Sequence, residues 1–407
     1  MPITFKQHTL SNGLTVLAES DPDAHTSAVG FYVKTGARDE TAPLMGVSHF
    51  LEHMMFKGTA RRSAEDVNRE FDELGADYNA FTSHEQTVYY AHVLPEYLPR
   101  AIDLLGDMLR PALRTDDFDM EKNVILEEIG MYDDRPEWRL QDTLLESYFG
   151  EHPLGYRVLG TNDTITALTA DQMRTYFEHR YGPDNIVVAL AGKLDWDATL
   201  ADLETLCGQW KPTGADRPPS DVSVQTHEQN LTDERVNRHY LATLLPAPSA
   251  QDELRYAARV LGDLIGDDDG SRLYWALIEP GLADEASFSF MPMDHAGAYM
   301  AFLTCDPAKA KPVAETLLAE LAKVKDTLQQ GEITRAVNKL ATSVTLRGER
   351  PAGRMHRLGG EWLYRKRFIP LEDDLARLQA VTLDEVVAVL EAFPLEPRTT
   401  LRLGPAS

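Results

Sequence analysis

Cysteine is nearly absent: Cys207 and Cys305 are the only two in 407 residues, far apart and without a CxxC spacing. That excludes a disulfide framework and a thiolate metal site, and both thiols are expected to be buried and inert. Long apolar runs are missing too. No stretch approaches the roughly 18 apolar residues that a membrane span requires, so no membrane partner is expected. Positive charge is scarce, with 40 Lys and Arg against 65 Asp and Glu and a formal net charge of −25. Such a chain repels phosphates and offers no basic footprint for nucleic acid. The same charge either draws in basic peptides or serves only solubility. The first residues, Met1-Pro-Ile-Thr-Phe-Lys-Gln-His, lack the charged start, apolar stretch and cleavage site of a secretory signal, so a cytoplasmic location is the expectation.

What is present has the proportions of a globular protein, with 43% hydrophobic and 26% charged residues. Its length exceeds what one core ordinarily organises, so two or more packed units are expected. Asn12-Gly13, between Thr9-Leu10 and Leu14–Leu17, predicts a hairpin, and 25–35 alternates as a strand. From Gly46 the period changes: Val47, Phe50, Leu51, Met54 and Met55 recur at helical spacing until Gly58 closes the helix. Ser63 reads as the N-cap of a helix to about Leu74, followed by strands over 77–81 and 87–93. Pro95 and Thr115 open further helices, the second reaching about Tyr132, and 186–191 reads as a buried strand. A polar, proline-rich stretch over 211–230 reads as a linker. Beyond it the grammar repeats, with strands over 238–245, 286–291 and 298–305, a helix from Ala250 past Ile265, and helices from Ala308. The expectation is an α+β chain of two similar halves, 1–210 and 233–407, joined by a linker over 211–232.

The chemistry is concentrated in Gly46–Thr59, which contains H-x-x-E-H at His49, Glu52 and His53. On a helix, residues i and i+4 project from one face, so both imidazoles can reach a single ion. The apolar stripe lies on the other side, leaving His49, Glu52 and His53 together. Catalytic zinc takes three protein ligands and keeps one position open, so a third ligand has to come from elsewhere in the chain. In Glu121-Lys-Asn-Val-Ile-Leu-Glu-Glu-Ile129, Glu121 and Glu128 are two turns apart and share a helix face, whereas Glu127 is rotated from Glu128 by about 100°. The bland alternative is a solvated helix face with Glu52 as an ion-pair partner, and ordinary surface carboxylates. Motif, segregated face and downstream glutamates together favour a metal. His84 and His92, on the predicted hairpin, match no ligand spacing and read as structural or surface residues.

The run from His49 to Thr59, followed by Asn79-Ala-Phe-Thr82 and Glu121-x6-Glu128, resembles the pitrilysin/insulinase family of zinc peptidases, close to mitochondrial processing peptidase and its bacterial relatives. The resemblance covers essentially the whole chain. It implies two homologous αβ half-domains, each an antiparallel sheet packed with helices, that enclose a chamber and usually come from two associated chains. It implies zinc as cofactor, His49, His53 and Glu128 as ligands, Glu52 as general base, and Glu121 as a carboxylate orienting a ligand. Asn79, Ala80 and Phe81 match the edge strand to which family members add a substrate peptide.

One departure stands out. Active relatives carry an Arg and a Tyr seven residues apart in the second half, which help to bind substrate and stabilise the oxyanion. Here Ala276-Leu-Ile-Glu-Pro-Gly-Leu-Ala-Asp-Glu285 is one residue shorter, with Ile278 at the Arg position and an acid near the Tyr position. Arg272 and Tyr274 stand nearby, either as substitutes or as packing residues. An oxyanion donor contributes on the order of 3 kcal/mol. The expectation is therefore a zinc metalloendopeptidase subunit acting on peptides or unfolded segments, paired with a homologous non-metal chain that brings Arg and Tyr, or else a homodimer. The rival class is a non-catalytic assembly subunit of the same fold, against which the intact ligand set argues.

Overall fold

Asn12 and Gly13 turn the chain where the sequence predicts a hairpin. Gly13 takes φ +95°, and β1 (Thr4–Thr9) pairs antiparallel with β2 (Thr15–Ser20), Thr4 opposite Ser20 and Thr9 opposite Thr15. The structure is a computed structural model and describes residues 3–220, 222–396 and 398–405. β3 (Ser27–Val33), buried throughout, is followed by α1 (Val47–Met55). Ser63 accepts the Asp66 N–H to cap α2 (Ala64–Leu74), and the hairpin strands β4 (Asp77–Thr82) and β5 (Thr87–Val93) come next. Helices α3 (Leu98–Met108), α4 (Thr115–Asp133), α5 (Pro136–Phe149), α6 (Asn162–Ala167) and α7 (Ala170–Arg180) lead to β6 (Ile186–Gly192) and α8 (Trp196–Cys207). The later elements are β7 (His227–Thr232), β8 (His239–Pro246), α9 (Arg255–Gly266), β9 (Glu285–Met293) and β10 (Ala296–Cys305). The chain ends with α10 (Ala310–Thr327), α11 (Gln330–Gly348), α12 (Pro351–Arg365), α13 (Leu371–Gln379), α14 (Leu383–Ala392) and β11 (Thr399–Gly404).

Two sheets result, in the orders β1-β2-β6-β3-β5-β4 and β7-β11-β8-β10-β9. Leave out β1 and the topologies coincide: β2 pairs parallel with β6 as β7 does with β11, and every other pairing is antiparallel. The α+β expectation of two similar halves holds, with one parallel pair in each sheet. In this correspondence α9 takes the place of α1, and its sequence Arg-Tyr-Ala-Ala-Arg-Val-Leu-Gly-Asp-Leu-Ile-Gly has no histidine.

The compact units are interleaved along the chain rather than contiguous. One comprises the described residues through Gly130 with Tyr156–Pro218 and Leu346–Phe368; the other comprises Met131–Gly155, Pro219–Thr345 and the described residues from Ile369. Each sheet has two apolar faces, and one face is covered by a helix distant in sequence. α12 lays Met355, Leu358, Trp362 and Leu363 on the first sheet's Leu17, Tyr32, Val88 and Val187. Gly359 permits the approach, because a Cβ there would meet the Tyr32 ring at 2.4 Å. In the second unit α5 packs Leu140, Leu144 and Tyr148 against Ala242, Leu244 and Leu401. The predicted linker also contains β7, whose polar residues join the sheet by backbone pairing to β11. No helix among the described residues is long and apolar enough to cross a membrane. Both cysteines are buried and unpaired, as expected, and burial pushes the Cys207 thiol up to about 12.

Candidate metal centre

α1 buries Val47, Phe50, Leu51, Met54 and Met55 in the first unit's core, as its periodicity predicts. On α4, Phe118, Ile125 and Ile129 enter the same core, and the Phe118 ring stacks on Phe50 with centroids 4.7 Å apart. That contact sets α4 alongside α1. Residues two turns apart share a helix face, so Glu121 and Glu128 both meet the histidine face, while Glu127 is exposed.

His49, His53 and Glu128 each offer a ligand atom, and these atoms all lie within 4.8 Å of one another. Glu128 Oε2 is 3.8 Å from His49 Nε2 and 3.6 Å from His53 Nε2. Those separations are too long for hydrogen bonds. Ligands about 2.0–2.1 Å from a tetrahedral ion are separated from one another by roughly 3.3 Å, so small side-chain rotations bring this set to zinc distances. His53 Nδ1 is 2.9 Å from Glu121 Oε1, and Lys57 Nζ holds the other oxygen of Glu121 at 2.5 Å. With Nδ1–H donated to Glu121, His53 presents the Nε2 lone pair toward Glu128. His49, 8% exposed, has a buried Nδ1 with no hydrogen-bond partner. Its Nε2 faces Glu128 beyond hydrogen-bond distance, which leaves that lone pair free for an ion, while Nδ1 stays unpartnered. The donor set therefore fits zinc.

The two imidazoles titrate in opposite directions. Burial, assisted by neighbouring His53, pushes His49 down to about 3, which keeps it in the neutral, metal-binding form. For His53 burial also acts downward, but the Glu121 hydrogen bond and the charges of Glu128 and Glu52 outweigh it and raise the ring. Burial raises Glu128, and it raises Glu52 against the Thr82 hydrogen bond and the His53 charge. Burial also acts upward on Glu121, where His53 and Lys57 prevail and hold the carboxyl below its usual range.

Thr82 Oγ1 donates to Glu52 Oε2 at 2.6 Å, tying the motif helix to the last residue of β4. β4 is one of the two end strands of the first sheet, and it carries the predicted Asn79, Ala80 and Phe81. Ala80 is buried, whereas Asn79 and Phe81 are exposed, Phe81 by 39%. Asn79 Oδ1 accepts the Ala80 N–H at 2.8 Å.

Other candidates lie elsewhere. His92 Nε2 bonds Thr26 Oγ1 at 2.7 Å, and burial lowers His84; neither joins the cluster. In the second unit Arg272 is committed to packing, its Nε and Nη2 on Glu332 at 2.8 and 2.9 Å and its Nη1 on Thr327 at 2.7 Å. The Tyr274 hydroxyl reaches Glu279 at 3.4 Å. Ile278 ends a π-helical turn, Tyr274–Ile278, and packs against that unit's core. Lys57 and Thr82 acquire contacts with the cluster that residue spacing did not predict, although both lie in the runs that carry the resemblance.

The sequence matches the family described as Insulinase (Peptidase family M16) over residues 15–162 and the Peptidase M16 inactive domain over 167–340. The Streptomyces coelicolor protein named uncharacterized zinc protease SCO5738 is 34% identical over 95% of this chain and 86% of its own length. The Bacillus subtilis uncharacterized zinc protease YmxG is 32% identical over 94% of each chain. Among solved structures, a protease from Helicobacter pylori superposes with a TM-score of 0.92 at 20% identity over the whole of both chains. A peptidase M16 inactive domain structure from Pseudomonas fluorescens gives a TM-score of 0.91 at 20% identity, covering 100% of this chain and 99% of that one. At that identity the structures establish the fold alone.

Proposed function

Since this chain belongs to the insulinase family, peptidase family M16, we propose that it is the metal-bearing subunit of a zinc metalloendopeptidase acting on peptides or unfolded polypeptide segments. The observation that carries this reading is the convergence of His49, His53 and Glu128 donor atoms within 4.8 Å beside Glu52. Zinc, held by those three residues, would supply Lewis-acid polarisation of the scissile carbonyl and acidify water. Glu52 takes the attacking water's proton and passes it to the amine nitrogen as the C–N bond breaks, a role suited to a carboxyl raised by burial. Glu121 orients His53 and is itself held by Lys57. The peptide adds as a strand along Asn79, Ala80 and Phe81, with backbone hydrogen bonds supplying affinity and Phe81 contributing an apolar contact.

The absence of the Arg and Tyr of active relatives supports a second part of the reading: a homologous chain without the metal motif supplies the oxyanion donor. Metal analysis of the purified chain is expected to give one zinc per chain. Peptide cleavage is expected to be weak for the chain alone and to rise on the order of 10²- to 10³-fold when such a partner is added. Full activity from a homogeneous homodimer removes the need for the partner. Zinc at the site with no cleavage under either condition favours the assembly-subunit reading instead.

A more local outcome tests Glu121. Glu121→Ala frees His53 Nδ1 and strands Lys57, and zinc affinity measured by competition with a chelator is expected to fall about 10- to 100-fold. An unchanged affinity removes Glu121 from the site.

A further inference from the structure

The helix that carries the motif begins without a cap of its own. Its N-cap is Gly46, in the left-handed region at φ +93°, with no side chain to accept the exposed N–H groups of the first turn. The acceptors come from upstream instead. Glu40 Oε2 takes the Gly46 N–H at 2.7 Å, and Glu40 Oε1 takes the Ser48 N–H at 2.7 Å. Glu40 is 5% exposed, and nothing in the reaction outlined above uses it.

The surroundings leave this clamp little freedom. Ser48 Oγ is 2.7 Å from the Tyr176 hydroxyl, which lies 2.9 Å from Thr35 Oγ1. Beside Glu40, the buried Asp39 carboxylate is held by Arg180 at 2.8 Å and by Arg217. Gly46 is pinned from the other side, since a Cβ there would meet the Leu159 carbonyl oxygen at 2.5 Å. Burial pushes the Glu40 carboxyl up to about 8, while the two N–H groups and the Ser48 hydroxyl pull it down. The ionised carboxylate accepts at both oxygens, and because these donors favour the anion the clamp is tightest in that form. His49 follows Ser48 directly, and Glu52 and His53 follow one turn later. Any rotation or slide of α1 therefore moves all three together.

We propose that Glu40 is a positioning residue of the metal centre: by bridging the Gly46 and Ser48 N–H groups it fixes the rotation and axial position of α1, holding the His49 and His53 Nε2 atoms opposite Glu128. This rests on reading His49, His53 and Glu128 as zinc ligands.

The test uses the full chain stripped of metal, with zinc affinity measured by competition against a chromophoric chelator and folding followed by thermal melting. Glu40→Gln keeps the volume but replaces one acceptor oxygen by an NH2 that cannot accept, and affinity is expected to fall about 10- to 100-fold in a cooperatively folded protein. Glu40→Asp keeps both oxygens on a stem one methylene shorter and is expected to show a smaller loss. Glu19→Gln is the control. Glu19 is 2% exposed in the same unit, accepts a hydrogen bond from Arg357 and forms an ion pair with Arg354, and does not touch α1. It is expected to lower thermal stability while leaving zinc affinity within about twofold of the parent. A folded Glu40→Gln that binds zinc like the parent overturns the proposal alone. So does an equal loss of affinity in Glu19→Gln, which would mark general loosening, and so does failure of both Glu40 variants to fold. A parent chain that binds no zinc overturns the metal reading itself and this proposal with it.

Discussion

Glu52→Gln is expected to keep its zinc and lose its turnover, with peptide cleavage falling about 10²- to 10⁴-fold, the range that a positioned general base contributes. Three features favour a clean result. Glu52 lies outside the group of three converging donor atoms, so the metal keeps its protein ligands. Gln fills the same space, and its amide oxygen still accepts the Thr82 hydroxyl that Glu52 Oε2 accepts at 2.6 Å. What disappears is the capacity to take up and return a proton. Steady-state kinetics with metal analysis of the same preparation checks this, ideally with the partner chain present so that the parental rate is measurable. A variant cleaving at the parental rate sinks the assignment of Glu52 as the base.

The second large effect concerns folding. A fragment ending at residue 210 retains every strand of the first sheet but not α12. Met355, Leu358, Trp362 and Leu363, all buried in the full chain, are lost from one face of the sheet. At about 1.5–3 kcal/mol for each large apolar side chain the loss is roughly 6–12 kcal/mol, comparable with the whole stability of a typical domain. The same fragment keeps α5 without the sheet that α5 covers. The fragment is expected to show no cooperative thermal transition, while the intact chain melts cooperatively. A sharp melt and native near-ultraviolet dichroism from residues 1–210 alone would overturn the account of the exchanged helices.

Local features were the legible ones. The i, i+4 spacing of His49 and His53, the apolar stripe opposite them and the two-turn interval from Glu121 to Glu128 are geometric properties of single helices, so sequence alone pointed to the cluster. The hairpin at Asn12-Gly13 and the Ser63 cap were equally local. Periodicity could not say which sheet an amphipathic helix would cover, since an apolar face does not identify its partner. Nor could it reveal β7, whose polar side chains carry no alternation and whose membership of the sheet is a matter of backbone pairing to β11. The Glu40 clamp was invisible for a similar reason: its partners are main-chain N–H groups, which every residue but proline possesses. For Arg272 the sequence left two readings open, and its contacts with Glu332 and Thr327 support packing.

The reach of α12 back to the first sheet has a consequence during synthesis on the ribosome. When residue 210 has been polymerised every strand of the first sheet has been made, yet the helix that covers one of its faces is finished only when Arg365 is added. That is about 150 residues later, roughly 8–30 s at 5–20 residues per second. During this interval the nascent chain presents Leu17, Tyr32, Val88 and Val187 to the surrounding fluid. Folding half by half as the chain emerges is therefore closed to it, and a chaperone able to shelter exposed apolar side chains has its longest opportunity then.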